Sequence, residues 1–276
     1  MTQLTMRDIA NALERGEASG IAGSARESIA RAPGGPGVVR PIGDGFMLYM
    51  GPGSFISRAA GLGMPSEVTA EHLDEVEAFY RGVGAVPTVD LCPYAHASLR
   101  KLLRDRGYVI EKFKEVLYRT LASEDDLDPL PGVDIVRIDR ADPGDMTRVA
   151  RLIEQGFSNG EPPPTNRVSK TLGLVSQSAA TSFAAVIDGA WVGAGVVATS
   201  DAPAALFAAS TLPAHRRRGV QAALIRARLA FARSQGATLA SIQCAPGIAT
   251  RRNAERQGFT CAYTKVEMVL PTRGKT

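Results

Sequence analysis

Apolar positions recur along this chain with two different periods, and the switches between them mark out its elements. In the second half, VDIVRIDR (133–140) alternates as a strand does. Residues 145–157 (DMTRVARLIEQGF) carry apolar side chains at the spacing of a helix face, with Asp142 and Asp145 flanking its start. SNGEPPPT (158–165) suits neither helix nor strand and reads as a loop, and VSKTLGLVSQS (168–178) as a second helix. TSFAAVI, Asp188-Gly189 and AWVGAGVVATS (190–200) follow as strand, tight turn and strand. ALFAASTL (205–212) is a strand ended by Pro213, and 219–236 is a long helix closed by Gly236. TLASIQC (238–244) is a strand, IATRRNAERQG (248–258) a short helix stopped by Gly258, and FTCAYTKVEMVL (259–270) a final strand. The order is β-α-α-β-β-β-α-β-α-β.

The first half begins with one or two helices and then GGPG. Strands are expected at GVVRPI, FMLYM and SFISRAA, and a helix at AEHLDEVEAFYRGVG with Leu73, Val76 and Phe79 on one face. TVDLC is a strand, ASLRKLLRDRG a helix, and YVIEKFKEVLYRTL (108–121) a long strand. An acidic stretch with two prolines (122–133) separates the halves. The expected division is a domain over 1–125, a linker at 126–132 and a second domain over 133–276. The halves also repeat weakly. Cys92-Pro93 leads through an arginine-rich helix to Gly107-Tyr108 and a strand, as Cys244-Ala245-Pro246 leads to Gly258-Phe259 and a strand. The pattern predicts a mixed α+β fold, duplicated, with a central and mostly antiparallel sheet flanked by helices.

Composition narrows the function classes. Hydrophobic residues are 45% and charged residues 22%, as in globular proteins generally. No apolar run approaches the roughly 18 residues of a membrane span. The opening residues mix charges as an amphipathic helix does, not a signal peptide, which leads us to expect a cytoplasmic chain. Three widely spaced cysteines, Cys92, Cys244 and Cys261, argue against a disulfide framework and against a zinc site, and no metal is expected. The net charge is +4, and the clearest basic cluster is local: Arg216, Arg217, Arg218, Arg226 and Arg228. That suits a small polyanion better than a duplex, so no nucleic-acid partner is expected. A solvated helix face is the alternative.

The chemistry concentrates at LPAHRRRGVQAALIRARLAF. Pro213 stops a strand and a helix begins within a few residues. Free N–H groups and the positive dipole end of a helix start make a ready anion site. Gly219 lets the backbone approach a phosphate, and the arginines add charge-assisted hydrogen bonds. Here the chain resembles the GNAT acetyltransferase superfamily, whose pattern is Pro-x-x-Arg/Gln-x-x-Gly-x-Gly/Ala opening a long helix. Pro213, Arg216 and Gly219 match, Gln221 stands where Gly or Ala is usual, and Ala222, Ala223 and Leu224 continue the expected helix face. The order of elements over some 140 residues matches as well.

The resemblance implies an acyl-CoA N-acyltransferase fold with acetyl-CoA as co-substrate. It places the pyrophosphate on Arg216, Arg217, Arg218, Gly219, Val220, Gln221 and Ala222. It places the pantetheine arm and thioester oxygen against Ser210, Thr211 and Leu212. The implied reaction is direct attack by a primary amine of a small or amino-acid-like acceptor. An acyl-CoA sensor without turnover and a non-acetyl donor stay open, as does a homodimer.

Two family features are missing. ALFAASTLP has no acid to take the amine's proton, and Ala254 stands where a tyrosine commonly protonates the leaving thiolate. Substitute catalytic candidates are Tyr263, Ser210 and Cys244, with packing roles as the alternative for Tyr263 and Cys244. Thr211 joins Ser210 as a group that orients a water; Glu161 is a candidate wall of the acceptor site, and His215 belongs to the phosphate-side turn. The first half has its own literal match, Arg58-Ala59-Ala60-Gly61-Leu62-Gly63, but its helix starts too far on, near Thr69. We therefore expect a degenerate first half, with Asp90, Tyr94 and His96 candidates for lining an acceptor pocket.

Overall fold

The computed structural model describes residues 4–199 and 203–271. The first three residues of the expected N-terminal helix and Ser200, the end of an expected strand, lie outside them. The chain divides into two compact units. One comprises residues up to 116, 244–246 and from 261 on; the other comprises 117–243 and 247–260.

The N-terminal unit opens with α1 (Met6–Arg31), a single 26-residue helix whose Thr5 and Asp8 form a reciprocal capping box. Then come β1 (Val38–Ile42), β2 (Gly45–Tyr49), β3 (Ala59–Ala60), α2 (Ala70–Gly82), β4 (Thr88–Leu91), α3 (Ala97–Asp105) and the first eight residues of β5 (Val109–Thr120). The last long strand of the chain, β11 (Thr260–Val269), also belongs here. The order is β1-β2-β3-β4-β11-β5, with β11 antiparallel to β4. SFISRAA was expected to be a strand throughout, yet only Ala59–Ala60 is one. The Arg58 carbonyl still accepts from the Leu48 N–H, but before it the backbone closes on itself in turns, Ser57 N–H donating to the Ser54 carbonyl and Arg58 N–H to the Ile56 carbonyl, which ends the strand there. Pro41 is tolerated because β1 is a terminal strand of this order.

The C-terminal unit contains β6 (Asp134–Arg137), α4 (Pro143–Phe157), α5 (Thr165–Val175), β7 (Ala180–Ile187), β8 (Ala190–Ala198), β9 (Ala204–Thr211), α6 (Val220–Ser234), β10 (Leu239–Cys244, all but its last residue) and α7 (Ala249–Glu255). Asp142 caps α4 through the N–H groups of Gly144 and Asp145. Asp188 and Gly189 take positive φ in the hairpin between β7 and β8, as a two-residue turn requires. The order is β10-β9-β8-β7-β6, antiparallel except for the parallel pair β9 and β10. The N-terminal unit repeats that sequence of senses: β1, β2 and β3 are antiparallel neighbours and β3 runs parallel to β4. Each unit is thus a mixed, mostly antiparallel sheet flanked by helices.

On one face of the C-terminal sheet, Met146, Val149, Ile153 and Val175 from α4 and α5 pack on Ala184, Ala194 and Val196. On the other face α6 lies very close to β8. A Cβ added at Gly193 would stand 2.8 Å from a Val220 side-chain carbon, so the glycine is what admits the helix. The acidic segment after β5 is pinned within this unit: Arg226 donates to the Asp126 carboxylate (2.6 Å) and the Asp128 carbonyl, and Arg233 to the carbonyls of Ala122, Ser123 and Asp125. Arg226 therefore leaves the anion-binding cluster read from the sequence, and so does Arg228, which is buried.

Candidate functional site

The loop between β9 and α6 has the geometry of an anion cradle. Arg217 (φ 67) and Gly219 (φ 80) are both left-handed, with Arg218 between them. Concave nests of N–H groups are built where residues of opposite hand follow one another. Gly219 is the N-cap and no side chain caps the helix; the first return bond within it runs from Ala223 N–H to the Gly219 carbonyl. The N–H groups of Val220, Gln221 and Ala222 therefore have no partner among the described residues. α1, α2, α3 and α4 are capped by Thr5, Thr69, His96 and Asp142, whereas α5 and α7, like α6, have no side-chain cap; what α6 adds is the pair of left-handed residues before it. The arginine at 217 accepts a backbone conformation that L-residues avoid, at a cost of about 1–2 kcal/mol.

Arg216 plays a different part from the one its position suggests. Its guanidinium donates to the Asn159 side-chain oxygen (2.9 Å), the Gly156 carbonyl (3.1 Å) and, more weakly, the Thr211 carbonyl (3.4 Å). Its own N–H donates to the Pro213 carbonyl. Arg216, exposed like Arg217 and Arg218, is a brace that fastens the loop to the end of α4, and the other two do not share its bonds to that helix. Sequence reasoning missed Asn159; its positive φ of 53 marks it, and only the fold brings it to Arg216. His215 lies in the short helical turn before the loop, its ring nitrogen 3.3 Å from an Arg218 nitrogen.

The strand leading into the loop separates from its neighbour. β9 pairs with β10 only at 204–206, against 240–242. On its other side β9 carries one extra residue: Ala194 faces Ser210 while Val196 faces Phe207, and Ala208 takes φ 45. Such a bulge bends a strand and strengthens its twist. Beyond it, Leu212 donates to the Val192 carbonyl and accepts from the His215 N–H. The backbone of Leu212 is therefore spent, which corrects its expected role toward a pantetheine arm. Antiparallel strands alternate the direction of their hydrogen-bonding groups. Ser210 consequently faces β8 as Leu212 does, and the N–H of Thr211 points the other way, to the side where β10 has ceased to pair. The Thr211 Oγ1 is also buried without a hydrogen-bond partner.

The three catalytic candidates are engaged elsewhere. The Ser210 hydroxyl donates to the Leu152 carbonyl (3.2 Å) under α4, so it does not serve the free edge of β9. Tyr263 and Cys244 fall in the N-terminal unit. The Tyr263 hydroxyl donates to buried Glu14 (2.8 Å), and burial together with that carboxylate pushes its pKa far above the ordinary phenol value. The Cys244 thiol is buried and points at Glu115 (4.0 Å). Glu161 is an exposed loop acid. Among the described residues the buried carboxylate of the C-terminal unit is Glu154 on α4, which accepts from Thr171 (2.5 Å) and pairs with Arg167 (2.7 Å).

The literal motif in the N-terminal unit is not a cradle. Arg58 is buried and donates to Asp90 (2.5 Å), Glu17 (2.6 Å) and the Phe55 carbonyl. A Cβ at Gly61 would stand 2.8 Å from that of Ala18, and α2 starts only at Ala70 behind its own cap. The side chains of Asp90, Tyr94 and His96 make the following contacts. Asp90 pairs with Arg58, Lys114 and Lys265, His96 caps α3, and the Tyr94 ring packs edge-on against Tyr263. Among the described residues no helix is long and apolar enough to cross a membrane.

Comparison with known proteins bears on this geometry. Residues 146–259 match the model of a family described as the acetyltransferase (GNAT) family. Over its length the chain is similar to a solved tandem GNAT protein from the clavulanic acid biosynthesis pathway, at 13% identity and a TM-score of 0.59 with 98% of each chain covered. It is also similar to a GCN5-related N-acetyltransferase from Kribbella flavida, at 19% identity and a TM-score of 0.58, covering 93% of this chain and 96% of that one. At these identities the likeness establishes the fold. No curated protein matches the sequence.

Proposed function

We propose, from the match of residues 146–259 to the model of the acetyltransferase (GNAT) family, that this protein transfers an acetyl group from acetyl-CoA to a primary amine of a small-molecule or amino-acid-like acceptor. The observation that carries the reading is the uncapped start of α6, with left-handed Arg217 and Gly219, placed directly after the free edge of β9. The pyrophosphate of the co-substrate rests on the N–H groups of 217–222, with Arg217 and Arg218 as counter-charges. Two features support the fit of this chain to the arm of the co-substrate: the N–H of Thr211, directed at the splay, and its buried Oγ1, which lacks a partner.

In the reaction the amine nitrogen forms a bond to the thioester carbonyl carbon, the carbon–sulfur bond breaks, and the products are an amide and a thiol. The Thr211 N–H faces the carbonyl oxygen as negative charge develops there. A preorganised donor of this kind is worth about 3–4 kcal/mol in acyl transfer. β9 has no acid, and the Ser210 hydroxyl is held by Leu152. The amine proton accordingly leaves to water, and the thiolate takes its proton from water.

The test is calorimetry with acetyl-CoA on the wild type and on Gly219→Glu, followed by thiol release over a panel of amines. Wild-type binding that raises the melting temperature, lost in the variant, is expected. Failure of the wild type to bind any acyl-CoA would falsify the reading. The commitment of Ser210, Tyr263 and Cys244 to other partners favours a second reading, an acyl-CoA sensor without turnover. Binding with no thiol release across the panel selects it. Mass spectrometry of the ligand that co-purifies identifies a donor other than acetyl-CoA.

A further inference from the structure

An arginine is sealed beneath the bulge that shapes the candidate site. Arg228, on the buried face of α6, is 2% exposed and has no carboxylate partner among the described residues. Its Nε donates to the Leu224 carbonyl one turn back (2.9 Å). Its Nη1 reaches the Val196 carbonyl on β8 (3.2 Å) and the Phe207 carbonyl on β9 (3.4 Å). Val196 and Phe207 are the pair at which the regular register ends. Gly195, opposite the extra residue of β9, leaves the space: a Cβ there would stand 3.0 Å from the guanidinium carbon.

A buried charge without a counter-ion is costly, and a leucine or methionine would fill the same helix face at far lower cost. Burial pushes the Arg228 pKa down to about 9, which leaves it charged at neutral pH. The geometry shows what the charge is for. A bulge leaves backbone carbonyls without ladder partners, and one planar cation with several donors can satisfy carbonyls from both strands and from the helix at once. Lysine, with one nitrogen centre, cannot hold that spread of acceptors.

We propose that Arg228 is a positioning residue that locks the bulge of β9 and thereby aims the Thr211 N–H at the acyl carbonyl. The proposal rests on the acyl-transfer reading above. Arg228 does not touch the co-substrate; it acts through the backbone of 207–211.

Three variants test it: Arg228→Lys, Arg228→Met and Gly195→Ala, the last crowding the guanidinium from the opposite side. The first readout needs no ligand. Amide hydrogen exchange at Ala209 and Thr211 should speed up about ten-fold or more relative to amides in β7, as local opening loses its brace. The second readout is the infrared stretch of acetyl-CoA labelled with carbon-13 at the carbonyl. Bound to the wild type, the stretch should lie below its free value; bound to the variants, it should move back toward it. Affinity for acetyl-CoA, set by the loop, should stay within about three-fold while kcat falls about 10- to 100-fold, the cost of a small misplacement of reacting groups. If Arg228→Met does not fold, Arg228→Lys decides the matter, since it keeps the charge and most of the volume. A variant that binds acetyl-CoA with an unmoved carbonyl stretch and wild-type kcat overturns the proposal. Failure of the wild type to bind acetyl-CoA overturns the acyl-transfer reading, and this proposal with it.

Discussion

The Lys265 ammonium lies 3.1 Å from the carboxylate of Glu14, a residue 251 positions away, and is fully buried there. Glu17 and Asp90 complete its surroundings, with the Tyr263 hydroxyl also donated to Glu14. Burial alone would lower the lysine's pKa. The three carboxylates more than offset that and hold it above the ordinary ammonium range. Lys265 thus joins the last strand of the chain to its first helix inside the N-terminal unit. Without Lys265, Arg58 and Lys114 still face Glu17 and Asp90, but buried Glu14 loses the cation paired with it, so Lys265→Met should cost about 3–5 kcal/mol. Urea unfolding followed by tyrosine near-ultraviolet circular dichroism checks this. A change under about 1 kcal/mol would contradict it.

Asp90 gives the same cluster a pH dependence. Burial would raise its carboxyl, but Arg58, Lys265 and Lys114 together hold it well below the usual carboxylate range. A carboxyl depressed in the folded state contributes stability that is complete above the unfolded value of about 3.9 and is lost as pH falls toward the folded one. Asp90→Asn should therefore be destabilised most near neutral pH, with the difference from wild type shrinking below about pH 4. Melting temperatures of the two proteins from pH 3 to 7 test it; parallel curves would count against the assignment.

The three consecutive arginines should behave differently. Arg216→Ala removes donors to Asn159, Gly156 and Thr211, so it should lower stability by about 1–2 kcal/mol as well as weakening acetyl-CoA binding. Arg217→Ala and Arg218→Ala should leave stability nearly unchanged and weaken binding in proportion to the lost charge. Their affinity deficit should shrink as salt rises from low to physiological ionic strength. Thermal shift and calorimetry at two salt concentrations distinguish the braces from the binders.

Gly156 and Ser210 should be coupled. A Cβ at Gly156 would lie 2.3 Å from the Ser210 Oγ and 2.6 Å from its Cβ, inside any allowed contact. Gly156→Ala should cost about 1–3 kcal/mol by overpacking α4 against β9. Ser210→Gly in the same chain should recover part of that loss, and a double-mutant cycle reads the coupling directly. Additive effects would mean that α4 and β9 are not in contact.

Element types and their order in the C-terminal unit follow from local chemistry. Asp142 as a cap, Asp188-Gly189 as a turn, Pro213 as a strand stop and Gly219 before a helix all act within a few residues, so a single sequence suffices to read them. The loop after Pro213 was legible for the same reason. Local chemistry did not determine which arginine does what. Arg216, Arg217 and Arg218 are equivalent by composition, and only the approach of the Gly156 carbonyl on α4 and of Asn159 just beyond it makes the first a brace. Likewise, nothing nearby in sequence marks Arg228 as buried or β11 as a strand of the N-terminal unit. Tyr263 looked available to a leaving thiolate because Glu14, its partner, lies 249 residues earlier. Charge pairing and strand partnership depend on long-range closure, and a one-dimensional pattern carries no record of which distant groups will meet. The sequence by itself determined the strand stop, the loop and the helix start at 213–220; the tertiary structure decided which of the side chains there are engaged elsewhere.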